Sequence, residues 1–202
     1  MLDKQAITSV PIHELLARRF SPRAFDPTRP VSPAAVAALL EAARWAPSCY
    51  GDQPWRFLVW NRSDDPQGWQ AAFDCLAEGN QVWVKDVPVL LAALALPTFR
   101  HNGQPNRWAQ YDTGAAAMSL ALQAVALGLA AHQMGGFDAQ RLKTTFGVPA
   151  EVMPMAMIAV GYQGDPARLS GELREREMAP RTRLSLGEIA FQGRWGTPFA
   201  AA

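Results

Sequence analysis

The sequence predicts an α+β or mixed α/β domain in which helices pack on a β-sheet. Three short apolar segments have strand character, at residues 56–60, 87–96 and 155–162. Segments with the apolar spacing of helices lie before and between them. No strand is followed by a Gly-rich dinucleotide fingerprint, so a regular doubly wound βαβ fold is not expected.

Two helices are predicted before the first strand. Residues 11–20 have the spacing of a short amphipathic helix, which Pro22 ends because proline disfavours helix in the residue before it. The second helix starts at Ser32 and Pro33, an N-cap followed by a proline at the first helical position. It is expected to end near Trp45.

The middle of the chain alternates helix and strand. Residues 68–76 are predicted to be helical, and residues 87–96 form a nearly continuous apolar strand of the kind found in the middle of a sheet. A long helix follows, with Asp112 or Thr113 as its expected cap and its end near Ala130.

The long helix is rich in alanine and apolar on most faces, so it should be buried on several sides. Small side chains would let another backbone come close. The pattern fits the interface of a dimer and the central helix of a monomer equally well.

A short helix at residues 139–146 and the strand at 155–162 complete the predicted core. The rest of the chain, residues 165–202, is charged and polar. It should not form a core of its own, and we expect it to cross the surface of another body, such as a second subunit.

Length, charge and cysteine content restrict the class of protein. The 202 residues fit one domain that can bury a core without disulfides or a metal. A net charge of +1 gives no global field for nucleic acid or a membrane. With only Cys49 and Cys75, and with no signal segment or apolar membrane span, we expect a soluble cytoplasmic protein. The three histidines lack the spacing of a metal site.

Two basic clusters near opposite ends of the chain, residues 18–23 and 181–183, are candidates for an anion site. Arginine binds phosphate with a planar fork of donors, and the hydroxyl of Ser21 can add a hydrogen bond. If the clusters converge, they form a phosphate site without a P-loop. Exposed arginines that only keep the protein in solution are the alternative, and spacing alone does not decide.

Two loops are candidates for binding a planar ligand. Residues 46–55 are stiffened by two prolines and carry polar groups, although an ordinary helix-to-strand connection is the alternative. Residues 133–137 contain Gly135 and Gly136, which let a backbone approach a ligand closely, although a helix C-cap also explains a glycine there. Cys49 lacks a histidine partner, which favours a packed cysteine over a nucleophile.

Five segments resemble, in order, the motifs of the nitroreductase family, and the similarity runs from about residue 11 to 197. They are residues 18–25, residues 47–55, Asn80-Gln81 with Trp83 and the strand from Asp86, residues 135–138, and residues 180–183. Three features depart from the family pattern. The pair Gly135-Gly136 replaces the acidic-glycine pair of some members. Gly51 stands where many relatives have asparagine, and Trp83 stands where they have a basic residue near the ring.

The resemblance implies the nitroreductase-like α+β fold, with a mostly antiparallel central sheet flanked by helices. It also implies a homodimer with the long helix at its interface, a single domain over residues 1–202, and an arm of residues 165–202 over the partner. Two flavin mononucleotide (FMN) sites would lie at the interface, each built from both chains.

The family's cofactor-binding positions map onto this sequence as follows. Arg19, Ser21, Arg23, Arg181 and Arg183 would hold the phosphate and ribityl groups, beside Phe20. A place nearer the ring is the alternative for Arg23. Pro47, Ser48 and Cys49 would come from the partner and line the ring, and Asn80 would bind the flavin edge. The backbone of Gly135 and Gly136 would approach N5 and O4, and Gln53 and Met134 are further cofactor-binding positions.

The activity that the resemblance implies is transfer of a hydride from NADH or NADPH, through flavin N5, to a small electron-poor acceptor in a ping-pong reaction. The acceptor would be a nitroaromatic, a quinone or an enal. No catalytic side chain is expected, because the cofactor carries the chemistry. A different flavin reaction, such as dehalogenation or flavin breakdown, and FMN storage without turnover remain alternatives.

A substrate lid is expected near the ring, formed by the polar segment 97–108 as a mobile loop. The aromatic candidates for it, most of them expected in the core, are Tyr50, Trp69, Trp83, Phe99, Trp108 and Tyr111.

Overall fold

A four-stranded antiparallel sheet forms the centre of the protein. The computed structural model describes residue 2 and residues 4–200. The strands are β1 (Trp55–Asn61), β2 (Val89–Ala95), β3 (Ala130–Met134) and β4 (Met153–Gly161). They lie in the order β1-β2-β4-β3, and each neighbouring pair is antiparallel. The predicted α+β class with an antiparallel sheet is confirmed.

Strand β2 is the interior strand that its apolar run predicted, because all seven of its residues are buried. Side chains alternate across a strand, so β2 contributes to both faces of the sheet. Leu90 joins one apolar cluster with Trp60 and Met157. Leu91 joins the other, with Ile158. The two clusters cover opposite faces of the sheet.

Four helices lie in the first half of the chain. They are α1 (Glu14–Arg18), α2 (Pro33–Arg44), α3 (Pro66–Phe73) and α4 (Glu78–Val84). The start of α2 is as predicted, since the Oγ of Ser32 accepts from the amide of Ala35 at 3.2 Å. Helix α1 is shorter than predicted. Helix α3 starts two residues early, because Asp65 caps it and Pro66 occupies its first turn.

Helix α5 (Ala109–Ala126) is the predicted long helix, but its expected cap was wrong. The helix starts before Asp112, whose carboxylate instead accepts from the amide of Cys49 at 3.0 Å. The hydroxyl of Thr113 donates to the carbonyl of Ala109 within the helix. Neither α5 nor any other helix in the described part of the chain is long and apolar enough to cross a membrane.

Strand β3 and helix α4 were not predicted. The alanines of β3 read as a continuation of the alanine-rich helix, which was expected to reach Ala130. The helix ends at Ala126, and Gly128 takes a positive φ of 70° that reverses the chain into the strand. This places residues 133–137 at the end of a strand and not directly after a helix.

Helix α6 (Ala139–Phe146) has the predicted bounds, with Asp138 as its N-cap and Gly147 at a φ of 64° at its end. The C-terminal segment is less irregular than expected. It contains α7 (Gly171–Met178) and α8 (Leu186–Ile189), followed by a turn in which Phe191 pairs with Pro198.

Candidate functional site

The two basic clusters meet in one pocket. Its volume is about 150 Å³, and its lining residues come from three parts of the chain: Lys4, Arg19, Phe20, Ser21, Arg23, Arg176, Glu177, Arg181 and Arg183. Five arginines and one lysine thus face a single carboxylate. A polyanion the size of a phosphate group suits this composition.

The arginines of the pocket are close enough to repel one another. Burial, and then the charge of Arg183, lower the pKa of Arg19. Burial, followed by the charges of Arg19 and Arg183, also lowers the pKa of Arg181. Arginine remains charged at neutral pH, so this repulsion is present in the folded protein and a bound anion would relieve it.

Arg181 has a structural task as well as a place in the pocket. Its Nη1 donates to the carbonyl of Lys4 at 2.7 Å and to that of Ala17 at 2.8 Å. Arg183 is freer, since its Nη1 donates only to the carbonyl of the adjacent Thr182 among the described residues. Arg19 Nη1 lies 3.5 Å from the Oγ of Ser21, within the first cluster.

Glu177 is the acidic member of the pocket and is 2% exposed. Its carboxylate accepts from the amide of Arg23 at 3.0 Å and from that of Ala24 at 3.4 Å. Its own carbonyl accepts from the Nζ of Lys4 at 2.6 Å. Glu177 therefore links α7 to the loop of the first basic cluster and to the N-terminal segment.

His132, on β3, contacts the loop of the first basic cluster. Its Nδ1 lies 2.8 Å from the carbonyl of Pro22, which can only accept, so Nδ1 carries the proton. Burial, and then the charges of Arg23 and Arg19, lower the pKa of His132 to about 4 against the opposing hydrogen bond. The ring is therefore neutral at pH 7.

Trp83 fills the space behind this loop. It is 2% exposed, its ring centroid lies 4.6 Å from that of His132, and it stacks on Phe25 at 6.1 Å. Trp83 is therefore a core residue. Trp83 thus packs α4, the helix that also carries Asn80, against Phe25 and His132.

Asn80 lies against the glycine pair after β3. Its Nδ2 donates to the carbonyl of Gly136 at 2.9 Å, and that carbonyl also accepts from the amide of Ala77. A Cβ on Gly136 would lie 2.9 Å from Asn80 Nδ2, so a side chain there would displace the Asn80 amide. Within residues 4–200, no group accepts from the amides of Gly135 and Gly136, which remain available to a ligand. Met134 beside them is buried.

Pro47, Ser48, Cys49 and Gln53 lie together in the loop between α2 and β1, and none of them lines the arginine pocket. The Oγ of Ser48 accepts from the amide of Gln53 at 3.0 Å, and Asp112 holds the amide of Cys49. Tyr50, Gly51 and Gln53 all have positive φ. Glycine adopts this conformation readily, which is the local reason for Gly51.

The expected lid segment, residues 97–108, is held by hydrogen bonds to Asp52 and within the segment. Asp52 is 4% exposed and accepts from the amide of Arg100 at 2.8 Å, while the amide of Asn106 donates to the carbonyl of Pro97. The six aromatic candidates divide by exposure. Trp69 and Trp83 are core residues, Phe99 is partly exposed, and Tyr50, Trp108 and Tyr111 are exposed.

Several site residues were not found from the sequence: Lys4, Asp112, His132, Arg176 and Glu177. Arg176 pairs with Glu172 on its own helix, whereas the other four act across the fold, where no local spacing marks them. Within the part of the chain that the structure describes, no group of three or more His, Cys, Asp or Glu side chains could hold a metal ion.

Comparisons with known proteins agree with the fold and the motifs. The nitroreductase family model matches residues 16–162. An uncharacterized 15.4 kDa protein of Mycolicibacterium smegmatis is 48% identical over 100 residues, which cover 48% of this chain and 67% of the relative. The NADH dehydrogenase of Thermus thermophilus is 28% identical over 167 residues, which cover 67% and 79%.

A solved structure, that of an oxidoreductase containing FMN, is 37% identical and has a TM-score of 0.89. The match covers 95% of this chain and 96% of that one. Since the family model spans most of the chain and a solved relative follows it almost end to end, the chain belongs to the nitroreductase family.

Proposed function

We propose that the protein is an FMN-dependent oxidoreductase that takes a hydride from NADH or NADPH and delivers it to a small electron-poor acceptor, such as a nitroaromatic, a quinone or an enal. The observation that carries the proposal is the convergence of Arg19, Arg23, Arg181 and Arg183 on one pocket of about 150 Å³. The solved relative that contains FMN supports the choice of cofactor.

The arginine pocket fits the phosphate end of FMN. A phosphate monoester carries up to two negative charges, and guanidinium groups form paired, charge-assisted hydrogen bonds with its oxygens. Arg183 and Arg19 have donors to offer, the hydroxyl of Ser21 can add one more, and Phe20 gives an apolar edge. Arg181 contributes charge while its Nη1 holds the N-terminal segment.

The ring end of FMN fits the segment after β3. A side chain at Gly136 would displace Asn80, and the amides of Gly135 and Gly136, which have no acceptor within residues 4–200, are free to bind a ligand. Oriented backbone dipoles of this kind stabilise negative charge that develops on a bound group. When bound, FMN would supply hydride transfer at N5, accepting the hydride from the nicotinamide and then passing it to the acceptor.

His132 and Trp83 connect the phosphate end of the proposed site with its ring end. His132 reaches the loop of the first basic cluster from β3, and β3 leads directly to Met134 and Gly135. Trp83 packs on His132 from α4, which also carries Asn80. The phosphate end and the ring end are therefore held at a fixed separation by one packed unit, as a cofactor with a rigid ring requires.

We also propose a homodimer in which each chain completes the partner's site. Pro47, Ser48, Cys49 and Gln53 lie outside the arginine pocket, which suits a loop that lines a ring bound to the other subunit. The C-terminal segment 165–202 exposes large apolar side chains that need a cover: Leu184 is 64% exposed, Ile189 61% and Trp195 89%. This segment is proposed to lie over the partner as an extension of the single domain.

Both cysteines are free, which supports the proposal that the dimer works in the reducing cytoplasm. The formal net charge of +1 gives no strong overall electrostatic field that would attract nucleic acid.

The visible spectrum of the purified protein tests the proposed function. The flavin absorption bands should be present, or should appear after addition of FMN. They should bleach anaerobically on addition of NADH or NADPH and return with a quinone or a nitroaromatic. Yellow protein that neither nucleotide bleaches would indicate FMN storage. A protein that takes up no FMN would refute the proposal.

A further inference from the structure

We propose that Glu177 is a positioning residue that shapes the anion pocket for a phosphate monoester. The inference rests on the proposed function, because it concerns how the pocket tells FMN from riboflavin, the same flavin without its phosphate. Glu177 would act through the loop that carries Arg19, Ser21 and Arg23.

The burial of Glu177 is the first observation. A carboxylate that is 2% exposed loses its hydration, so it must be compensated by the protein. Within residues 4–200 no ion pair of 4.0 Å or less involves Glu177. Its two oxygens are instead used by the amides of Arg23 and Ala24.

These two amides belong to the loop of the first basic cluster. Because both carboxylate oxygens are engaged, the backbone at Arg23 and Ala24 is fixed in position and orientation. The side chains of Ser21 and Arg23 project from this backbone into the pocket. Arg23 and Glu177 are 154 positions apart in the sequence, so the hydrogen bond between them joins the two basic clusters of the site.

Glu177 also fixes the second basic cluster. It lies at the end of α7, and Arg181 and Arg183 follow within the next six positions. The Nζ of Lys4 donates to the carbonyl of Glu177, and Arg181 donates to the carbonyl of Lys4. One residue therefore sets the separation of the two clusters, and a pocket with preset donors binds a matching anion more tightly.

The negative charge of Glu177 opposes a phosphate, so its presence in the pocket needs a reason. Five arginines and Lys4 outnumber it, and its charge is turned towards two amides. Fixing the loop then outweighs the repulsion of the phosphate. This balance gives the proposal a definite sign: removal of Glu177 should weaken binding of the phosphate and not strengthen it.

The test compares the dissociation constants of FMN and riboflavin, measured by quenching of flavin fluorescence, for flavin-free wild-type protein and three variants. E177A removes both acceptors, and E177Q keeps the size and one acceptor oxygen. E175Q is the matched control, because Glu175 is an exposed glutamate on the same helix. The melting temperature of each flavin-free variant reports folding.

The preference for FMN over riboflavin should fall by about tenfold or more in E177A, a factor that corresponds to about 1.4 kcal/mol. It should fall less in E177Q and stay unchanged in E175Q. If E177A does not fold, the E177Q value decides.

Three outcomes would overturn the proposal. An equal loss of affinity for both flavins, or no loss, would mean that Glu177 only supports the fold. A stronger preference for FMN in E177Q would mean that its charge merely repels phosphate. A wild-type protein with no preference for FMN would instead refute the proposed function, and this inference with it.

Discussion

His132 should make the stability of the protein depend on pH between about pH 4 and 6.5, where most surface groups do not change their charge. Its pKa is about 4 in the folded chain, against 6.5 as the ordinary value. At about 1.36 kcal/mol for each pH unit, this difference corresponds to about 3 kcal/mol.

The sign follows from which state binds the proton first. The unfolded chain protonates His132 as the pH falls through 6.5, whereas the folded chain does so only near pH 4. Protons therefore favour the unfolded chain between these values. The contribution is fully present above about pH 6.5 and is lost as the pH falls to about 4.

The variant H132N isolates this contribution. The Nδ2 of asparagine can replace the Nδ1 donor to the carbonyl of Pro22, but it does not titrate. Loss of the contact with Trp83 should lower stability by an amount that is independent of pH. The free energy of unfolding can be obtained from urea titrations at several pH values. The excess of the wild-type value over the H132N value should be about 3 kcal/mol smaller at pH 4 than at pH 7.

H101N is the control for removal of an exposed histidine. Curves of unfolding free energy against pH that stay parallel for wild type and H132N would refute the reasoning. They would mean that His132 gains its proton equally well in both states.

Three further substitutions test separate parts of the site. R183A should weaken FMN binding by about 1.5–3 kcal/mol, the value of a hydrogen bond to a charged group, with little change in melting temperature. The control R174A removes an exposed arginine of α7 and should leave FMN binding unchanged. G136A should displace the amide of Asn80 and lower both FMN affinity and the reduction rate by NADH, and stopped-flow traces identical to wild type would contradict this. D112A should lower the free energy of unfolding by about 1–3 kcal/mol, because it leaves a backbone amide of the loop after α2 without its acceptor; an unchanged urea midpoint would count against that role.

The fold could be predicted where the local pattern and the tertiary structure agree. Strand β2 has a continuous apolar run and lies inside the sheet, and α2 begins at the cap that Ser32 provides. Strand β3 was missed because its alanines continue the composition of α5. The signal that separates them is Gly128, whose positive φ ends the helix.

The site could be predicted where a residue type carries its own chemistry. Arginines in two clusters indicate an anion site, and the pocket brings both clusters together. Glu177 and His132 could not be found in this way, because their roles depend on partners 154 and 110 positions away. A glutamate on a charged helix reads as a surface residue until its burial is known.

The central claim is that arginines from both ends of the chain form the binding site for the phosphate of FMN. Parallel titrations of flavin-free wild-type protein with FMN and with riboflavin test it most directly. We expect FMN to bind at least about a hundredfold more tightly, which corresponds to about 2.8 kcal/mol from the phosphate. Equal affinity for the two flavins would show that the pocket does not hold the phosphate.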